Sequence, residues 1–233
     1  MSDEAKRAAA IAALDHVEDG MRLGLGTGST AAHFVRALGE RIAAGLKVSG
    51  VATSIATETL ARAVGVPTIA LEDAPALDLC VDGADEIDPA LNLIKGAGGA
   101  LLREKIVASA SARFIVIADD SKTVAALGAF RLPIEVTPFA VAFATPRIAA
   151  ALRATGCDGD VVRLRCTAQG APFMTDGANH ILDAEARRIP DPAALARALK
   201  DIPGVVEHGL FLGMADLALV AGAGGVRALR RDV

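Results

Sequence analysis

Short apolar runs alternate with helix-like segments through the first half of the chain, and each run stops at glycine, serine, threonine or aspartate. This alternation is typical of a parallel β-sheet whose strands are joined by crossover helices. The predicted strands are residues 21–25, 48–52, 67–71, 77–81, 91–94 and 113–118. The predicted helices are residues 4–15, 30–46, 57–64 and 100–109. Ligands of open α/β sheets bind beyond the carboxyl ends of the strands, so a binding site is predicted in the loops there.

The pattern changes near residue 132, where strands and helices follow in the order strand, helix, strand, strand, helix, strand. That order is typical of a ferredoxin-like unit. Its predicted elements are residues 132–136, 141–154, 161–165, 179–183, 192–201 and 205–208. Two more strands are predicted at 210–212 and 217–221, the second placed to rejoin the first sheet. We therefore predict an α/β protein with a ferredoxin-like α+β domain, residues 132–207, inserted in a parallel-sheet domain of residues 1–131 and 208–233.

Composition narrows the classes of partner. Of 233 residues, 52% are hydrophobic and 22% charged, which is typical of a globular protein with a sizeable core. A net charge of −4 supplies no general basic field, so no nucleic-acid partner is predicted. The aromatic residues are 7 Phe, with neither Trp nor Tyr. A bound sugar would therefore be held by polar groups rather than by stacking.

The cysteines and the N-terminal residues indicate the compartment. Three cysteines, an odd number without a C-x-x-C pair, argue against a disulfide framework or a zinc ribbon and favour a reducing cytoplasm. The alanine-rich stretch after the charged first residues is interrupted at Asp15, too early for a signal peptide or a membrane span. The four histidines show no metal-ligand spacing, so no metal site is predicted.

The first candidate binding segment is GLGTGST at 24–30, a glycine-rich turn from strand to helix. Such a turn presents backbone N–H groups and a helix N-terminus to an anion, and the hydroxyls of Thr27, Ser29 and Thr30 add donors. The third glycine of a dinucleotide-binding loop and the Gly-Lys-Ser/Thr ending of a triphosphate loop are both missing. Neither NAD nor ATP is indicated. An ordinary strand-to-helix turn is the alternative interpretation.

The second candidate is VDGADEI at 81–87, which follows an apolar run. Its carboxylates Asp82 and Asp85 would bind sugar hydroxyls or affect each other's protonation. The alternative is a tight turn, because Asp-Gly is a common turn pair.

The third candidate is KGAGGALLREK at 95–105, in which Lys95 ends a strand and glycines let the backbone turn closely around a ligand. Glu104 falls in the first turns of the next helix, so an acid and a base lie near one loop. The alternatives are a solvated strand end for Lys95 and a surface helix position for Glu104.

The fourth candidate is DDSK at 119–122, where Lys122 would supply a point charge to a phosphate. Each segment alone has an ordinary structural explanation. Four successive strand-end loops that carry hydroxyls, paired acids, a lysine with a glutamate, and another lysine together predict a sugar-phosphate pocket.

These segments, with IPGVVEHGLF at 202–211, resemble the type A ribose-5-phosphate isomerases in order and spacing over nearly the whole chain. The resemblance implies a Rossmann-like domain with a ferredoxin-like lid, and a homodimer or homotetramer. It also implies interconversion of D-ribose 5-phosphate and D-ribulose 5-phosphate in the pentose phosphate pathway, without cofactor or metal.

The resemblance also implies roles for individual residues. Glu104 would be the base that moves a proton between carbons 1 and 2 through an enediolate, and Asp82, Asp85 and Lys95 would contact the sugar oxygens. The remaining substrate-binding residues would be Lys6, Thr27, Gly28, Ser29, Thr30, Gly83, Ala84, Gly96, Ala97, Gly98 and Lys122.

Two departures from the family pattern stand out. Ala97 interrupts the glycine run, a change that we expect to be tolerated because it adds only a methyl group. The segment TDGAN at 175–179 differs from the expected Asp-Asn-Gly-Asn, which leaves the geometry of the lid turn open.

Two other functions remain as alternatives. One is a sugar-phosphate sensor without catalysis, although no helix-turn-helix segment precedes the domain. The other is a coenzyme A transferase relative with a nucleophilic glutamate, which would leave the lysines and paired acids without a role.

Overall fold

Parallel strands form the larger sheet of the computed structural model, which describes residues 3–231. Five strands run parallel and a sixth pairs antiparallel at one edge. The strands are β1 (Arg22–Leu25), β2 (Ser49–Ala52), β3 (Leu79–Gly83), β6 (Phe114–Asp119), β12 (Leu217–Gly222) and β13 (Gly225–Arg230). Their order across the sheet is β13-β12-β6-β3-β1-β2. The predicted parallel sheet is confirmed, and the run at 217–221 rejoins it beside β6.

Four helices accompany this sheet, and their apolar faces build its core. The bounds are α1 (Asp3–Ala13), α2 (Ser29–Ala43), α3 (Ile55–Ala63) and α4 (Leu101–Ser109). Buried Ala9, Phe34 and Leu38 from α1 and α2 pack with Leu23 and Ile115 from the strands. Burial of such side chains is the main stabilising contribution to this unit.

The strand order changes direction between β1 and β3. Counting only the parallel strands in chain order, the sheet reads 2-1-3-4-5 from β2 to β12. In sheets of this order the connections leave β1 and β3 toward opposite sides, which opens a crevice at their carboxyl ends. The loops after Leu25 and Gly83 are therefore side by side at this crevice.

The second sheet is antiparallel and has four strands. They are β7 (Leu132–Val136), β8 (Val161–Leu164), β9 (His180–Glu185) and β10 (Val205–His208), joined through α5 (Val141–Ala154) and α6 (Pro192–Lys200). Their order across the sheet is β10-β7-β9-β8. The β-α-β-β-α-β order confirms the predicted ferredoxin-like unit. Ile134, Ile148, Leu182 and Leu195 are fully buried in its core.

A small antiparallel sheet corrects the prediction for residues 91–94. This segment forms only the two-residue strand β5 (Leu93–Ile94), which pairs with β4 (Glu86–Ile87) and β11 (Leu210–Phe211). The prediction that it joins the parallel sheet is wrong. Because β4 and β11 run antiparallel to it, β5 has neighbours on both sides without entering the larger sheet.

Two further predictions differ from the structure. Residues 67–71 are not a strand, because Thr68 alone forms a bridge with Gly50 and a 3-10 turn, Leu71–Asp73, follows. Pro67 has no N–H to donate to a ladder, which limits pairing at this edge. Strand β13 was not predicted, since its side chains are nearly all exposed and carry no apolar run.

Contacts within the chain divide it into two units. The first holds residues 3–84, 103–122 and 213–231, and the second holds 85–102 and 123–212. The predicted inserted domain, 132–207, falls within the second unit, which also includes 85–102. The predicted domain boundaries at 131/132 and 207/208 stay a prediction. No helix in residues 3–231 is long and apolar enough to cross a bilayer.

The turn at residues 175–179 closes around Thr175. The Thr175 hydroxyl donates to Glu135 Oε1 at 2.9 Å, and the same oxygen accepts from Asn179 Nδ2 at 3.0 Å. The Asn179 N–H donates back to Thr175 Oγ1 at 3.1 Å. Within this turn Ala178 has φ of 59°, in the left-handed region that suits glycine.

Replacing Ala178 with glycine removes the steric cost of that backbone conformation. We expect Ala178→Gly to raise the free energy of unfolding by about 0.5–1 kcal/mol, since the left-handed penalty for an L-residue exceeds the added chain entropy of glycine. Urea unfolding measures the change. Ala171→Gly is the control, because Ala171 is also exposed but has no positive φ. Equal effects of both variants would show that the φ angle is not the cause.

Candidate active site

The 24–30 segment forms the turn that joins β1 to α2. Strand β1 ends at Leu25 and α2 begins at Ser29, with Gly28 as the residue before the helix. Gly28 has φ of 107°, which a residue with a Cβ adopts only with strain. The predicted glycine-rich strand-to-helix turn is confirmed, and its first helical N–H groups belong to Ser29 and Thr30.

Asp82 joins this turn to β3. Its Oδ1 accepts the N–H of Thr27 at 3.0 Å and the N–H of Gly83 at 2.7 Å, and the residue is fully buried. Gly26 makes the approach possible, because a Cβ there would lie 2.2 Å from Asp82 Oδ1 and 2.5 Å from its Cα. Two of the predicted segments therefore meet in the β1/β3 crevice.

The Thr27 hydroxyl lies in a cluster with three other hydroxyl groups. Thr27 Oγ1 lies 2.7 Å from Thr53 Oγ1, 2.8 Å from Ser54 Oγ and 3.1 Å from Thr57 Oγ1. Thr57 Oγ1 in turn donates to the carbonyl of Gly26 at 2.9 Å. Sequence reasoning missed Thr53, Ser54 and Thr57. The available signal was Ser54 three residues before Thr57, a typical helix N-cap spacing, which the structure shows at the start of α3.

The two predicted phosphate lysines of the first unit occupy different elements. Lys6 lies on α1, and its Nζ donates to Ser29 Oγ at 2.9 Å. Lys122 is half-buried at the end of a 3-10 turn, Asp120–Lys122, directly after β6. In that turn Asp119 Oδ1 accepts from the backbone N–H and the hydroxyl of Ser121.

Glu104 is a buried carboxylate near the start of α4, with 4% of its surface exposed. The alternative that it is a surface helix residue is therefore wrong. Burial of a carboxylate is costly unless it is compensated by polar groups, so such a position is typical of functional acids.

Lys95 is also buried, with 2% of its surface exposed, which excludes the interpretation as a solvated strand end. It follows β5, and its N–H donates to the carbonyl of Gly209 at 2.9 Å. Its Nζ lies 5.5 Å from the centre of the Phe211 ring. A cation over an aromatic face is attracted by the ring quadrupole, which orients the ammonium group.

The loop after Lys95 holds the second predicted aspartate. The N–H of Ala97 donates to Asp85 Oδ2 at 2.9 Å, while Ala97 and Gly98 are exposed. The left-handed positions of this loop are Gly96 and Gly99, with φ of 105° and 81°, so the methyl group of Ala97 lies where no glycine is needed. Ala84, between the two aspartates, is half-buried.

Glu86 has a structural role that the sequence did not reveal. Its two oxygens accept the N–H groups of Gly128 at 2.7 Å and Phe130 at 2.5 Å, and the residue is buried. Asp85 and Glu86 are adjacent in sequence but face different partners, as alternating positions in extended backbone require.

Two further observations concern thiol chemistry and metal binding. Burial, followed by the charge of Asp158, raises the pKa of the Cys157 thiol against the opposing hydrogen bond from Thr155, so it stays protonated at neutral pH and is a poor nucleophile. Within residues 3–231, no three His, Cys, Asp or Glu side chains come together as metal ligands would.

The fold defines a doubly wound α/β protein in which a glycine-rich turn follows β1 and the buried Asp82 lies at the end of β3. The family model described as "Ribose 5-phosphate isomerase A (phosphoriboisomerase A)" matches residues 49–225. The chain belongs to the ribose 5-phosphate isomerase A family.

Relatives and solved structures agree with this assignment. Ribose-5-phosphate isomerase A of Nitrobacter hamburgensis is 59% identical over 98% of each chain. That of Methylorubrum extorquens is 58% identical over 96% of this chain and 94% of its own. A D-ribose-5-phosphate isomerase solved in complex with phospho-erythronic acid has a TM-score of 0.92 and 41% identity over 99% of this chain and all of its own. The Plasmodium falciparum ribose 5-phosphate isomerase also has a TM-score of 0.92, with 38% identity and full coverage of both chains.

Adding a methyl group at Gly26 should separate the first turn from Asp82. We expect Gly26→Ala to lower the free energy of unfolding by about 1–3 kcal/mol, because the new Cβ overlaps the backbone of Asp82 and cannot be relieved by a rotamer change. Urea unfolding gives the value. Gly224→Ala is the control, since a Cβ at Gly224 meets nothing within 4 Å and its φ is not positive. Equal losses in both variants would contradict the close approach.

Proposed function

We propose that this chain interconverts D-ribose 5-phosphate and D-ribulose 5-phosphate through an enediolate. The observation that supports this most strongly is 59% identity to a ribose-5-phosphate isomerase A over 98% of the chain. The four predicted segments add support, because each carries the residue types that proton transfer next to a carbonyl and phosphate binding require.

In this proposal Glu104 is the base. It removes the proton from carbon 2 of the open-chain aldose, and the electron pair moves toward the carbonyl oxygen on carbon 1 to form the enediolate. Return of the proton to carbon 1 and transfer of the hydroxyl proton from the oxygen on carbon 2 to the oxygen on carbon 1 give the ketose. A buried carboxylate suits this role, because bulk water does not take up the proton that it carries from carbon 2 to carbon 1.

Lys95, Asp82 and Asp85 act on the oxygens. The negative charge of the enediolate develops on the oxygen atoms of carbons 1 and 2, and a buried ammonium group such as that of Lys95 stabilises it more than a solvated one would. Asp82 and Asp85 bind sugar hydroxyls and assist ring opening by accepting and returning a proton. Gly83, Ala84, Gly96, Ala97 and Gly98 contribute backbone groups to the same contacts.

The phosphate is bound away from the reacting carbons. Thr27, Gly28, Ser29 and Thr30 offer hydroxyl and N–H donors at the start of α2, with Lys6 and Lys122 as point charges. Binding energy from this unreactive group orients carbons 1 and 2 against the base, which is why the site devotes several residues to it.

No cofactor is part of the proposal, because the reaction is balanced within the substrate: carbon 1 is reduced as carbon 2 is oxidised. Composition supports a cytoplasmic location, and the family resemblance supports a homodimer or homotetramer. The ferredoxin-like residues 132–207 would be the lid of the catalytic domain formed by 1–131 and 208–233.

Replacing the base should stop catalysis without removing binding. We expect Glu104→Gln to lower kcat by about 10²–10⁴-fold, the usual contribution of a general base, because the amide cannot accept the proton. Conversion of ribose 5-phosphate to ketose is measured in buffer with a metal chelator. Glu40→Gln on α2 is the control, since Glu40 is an exposed helical glutamate. Near wild-type turnover of Glu104→Gln would exclude it as the base.

The same assay separates the alternatives. A folded wild-type protein that binds phospho-erythronic acid but converts no ribose 5-phosphate would be a sensor. Acyl exchange with a coenzyme A thioester, without isomerisation, would indicate the transferase reaction.

Lys6 tests the phosphate contacts. We expect Lys6→Met to raise KM about fivefold, corresponding to about 1 kcal/mol for a partly exposed charge, with a smaller effect at high salt. Arg7→Met is the control, because Arg7 is the next residue of α1 and is exposed. Steady-state kinetics at two ionic strengths provide both values. An equal rise in KM for Arg7→Met would show that the loss of any positive charge on α1 causes the effect, rather than the loss of a phosphate contact of Lys6.

A further inference from the structure

Arg165 binds the loop that follows Lys95. Its Nη1 donates to the carbonyl of Gly96 at 3.0 Å and to the carbonyl of Ala97 at 2.9 Å. Two successive carbonyl oxygens are thus held by one nitrogen. The loop has glycines at the left-handed positions 96 and 99. Glycine has a wide choice of backbone conformation, so these contacts help to select one.

Asp183 holds the guanidinium group in place. Arg165 Nε donates to Asp183 Oδ2 at 2.9 Å and Nη2 donates to Oδ1 at 2.5 Å, with 13% and 7% of the two side chains exposed. The paired contact fixes the guanidinium plane, because both nitrogens and both oxygens must lie in it. Nη1 is then aimed at the loop by geometry that a lysine ammonium does not possess.

Phe173 completes the support. The Arg165 guanidinium lies 5.8 Å from the centre of the Phe173 ring. A Cβ at Gly99 would be 2.5 Å from Cε1 of the same ring, so the ring packs directly on the loop backbone. The loop is held by its carbonyls at Gly96 and Ala97 and by ring packing at Gly99.

One peptide group connects this support to Asp85. The peptide between Gly96 and Ala97 is planar and trans, so its C=O and N–H point in opposite directions. Its carbonyl accepts from Arg165 and its N–H donates to Asp85 Oδ2 at 2.9 Å. A cation at the carbonyl polarises the peptide and strengthens its N–H as a donor. Arg165 and Asp85 are therefore linked through a single peptide group.

We infer that Arg165, held by Asp183, is a positioning residue that sets the orientation of Asp85 and of the loop after Lys95. The inference rests on the proposed isomerase function, in which Asp85 and Lys95 contact the sugar oxygens. The side-chain hydrogen bonds of Arg165 go to Asp183 and to the loop carbonyls, so its loss should lower the rate of the chemical step more than it weakens substrate binding.

The test compares Arg165→Lys with Arg163→Lys. Arg163 lies on β8, two residues before Arg165, and pairs with Glu185 on β9 at 3.1 Å in an exposed position, which makes it a matched control. Arg165→Lys keeps a cation beside Asp183 but loses the planar guanidinium group with its several N–H donors. We expect kcat for ribose 5-phosphate to fall about 10–100-fold, with KM changed less than about threefold, and Arg163→Lys to stay within about twofold of wild type in both.

Chemical rescue separates positioning from general support of the fold. Millimolar methylguanidinium should restore part of the kcat of Arg165→Ala, because it supplies the missing guanidinium group. It should not change the kcat of Glu104→Gln. Circular dichroism and Tm report the folded fraction of every variant. If Arg165→Lys keeps wild-type kcat, or loses its fold while Arg163→Lys remains folded, the positioning role is overturned.

The wild-type protein separates this inference from the proposed function. Without conversion by the folded wild type, the isomerase proposal itself fails. With an active wild type, a result for Arg165→Lys concerns the positioning role alone. A loss of kcat that methylguanidinium does not restore in folded Arg165→Ala, together with an equal loss in Arg163→Lys, would assign the effect to the sheet rather than to the loop.

Discussion

The buried carboxylate of Asp82 is the contact on which the first unit's site depends. It lies at the end of β3 and accepts the backbone N–H groups of Thr27 and Gly83. A carboxylate without solvent exposure needs such donors, because burial removes its water. The contact exists because β1 and β3 are neighbours and because Gly26 has no Cβ to separate them. The hydroxyls of Thr53, Ser54 and Thr57 then hold Thr27 in the same position.

The second unit uses charged side chains in a similar way. Glu86 binds the N–H groups of Gly128 and Phe130, and Arg165 binds the carbonyls of Gly96 and Ala97. Loops normally satisfy their backbone groups with water and move accordingly. Here each loop has a charged partner whose hydrogen bonds are stronger than those of neutral groups. Such loops present their side chains in a defined arrangement without belonging to a helix or strand.

Much of the architecture followed from the pattern of apolar runs. The parallel strands, the ferredoxin-like order and the return of residues 217–221 to the first sheet all agree with it. Two errors have one cause, which is that an apolar run does not specify its partner. Residues 67–71 lie at the edge beyond β2 and pair through Thr68 alone, while Leu93–Ile94 pairs with two short antiparallel strands. Pairing between distant segments is decided by the packed structure.

The residue types of the candidate site are readable from the sequence alone, because its glycine, hydroxyl, acid and lysine positions occur in compact motifs whose order indicates their chemistry. Tertiary structure alone decided which of them are buried, as for Lys95 and Glu104, and which positions support them. Thr53, Glu86 and Arg165 lie far in sequence from the groups they hold, and no local pattern identifies those partners. Hydrogen bonds between distant segments form only after the chain has folded, so their partners are specified by packing and not by spacing.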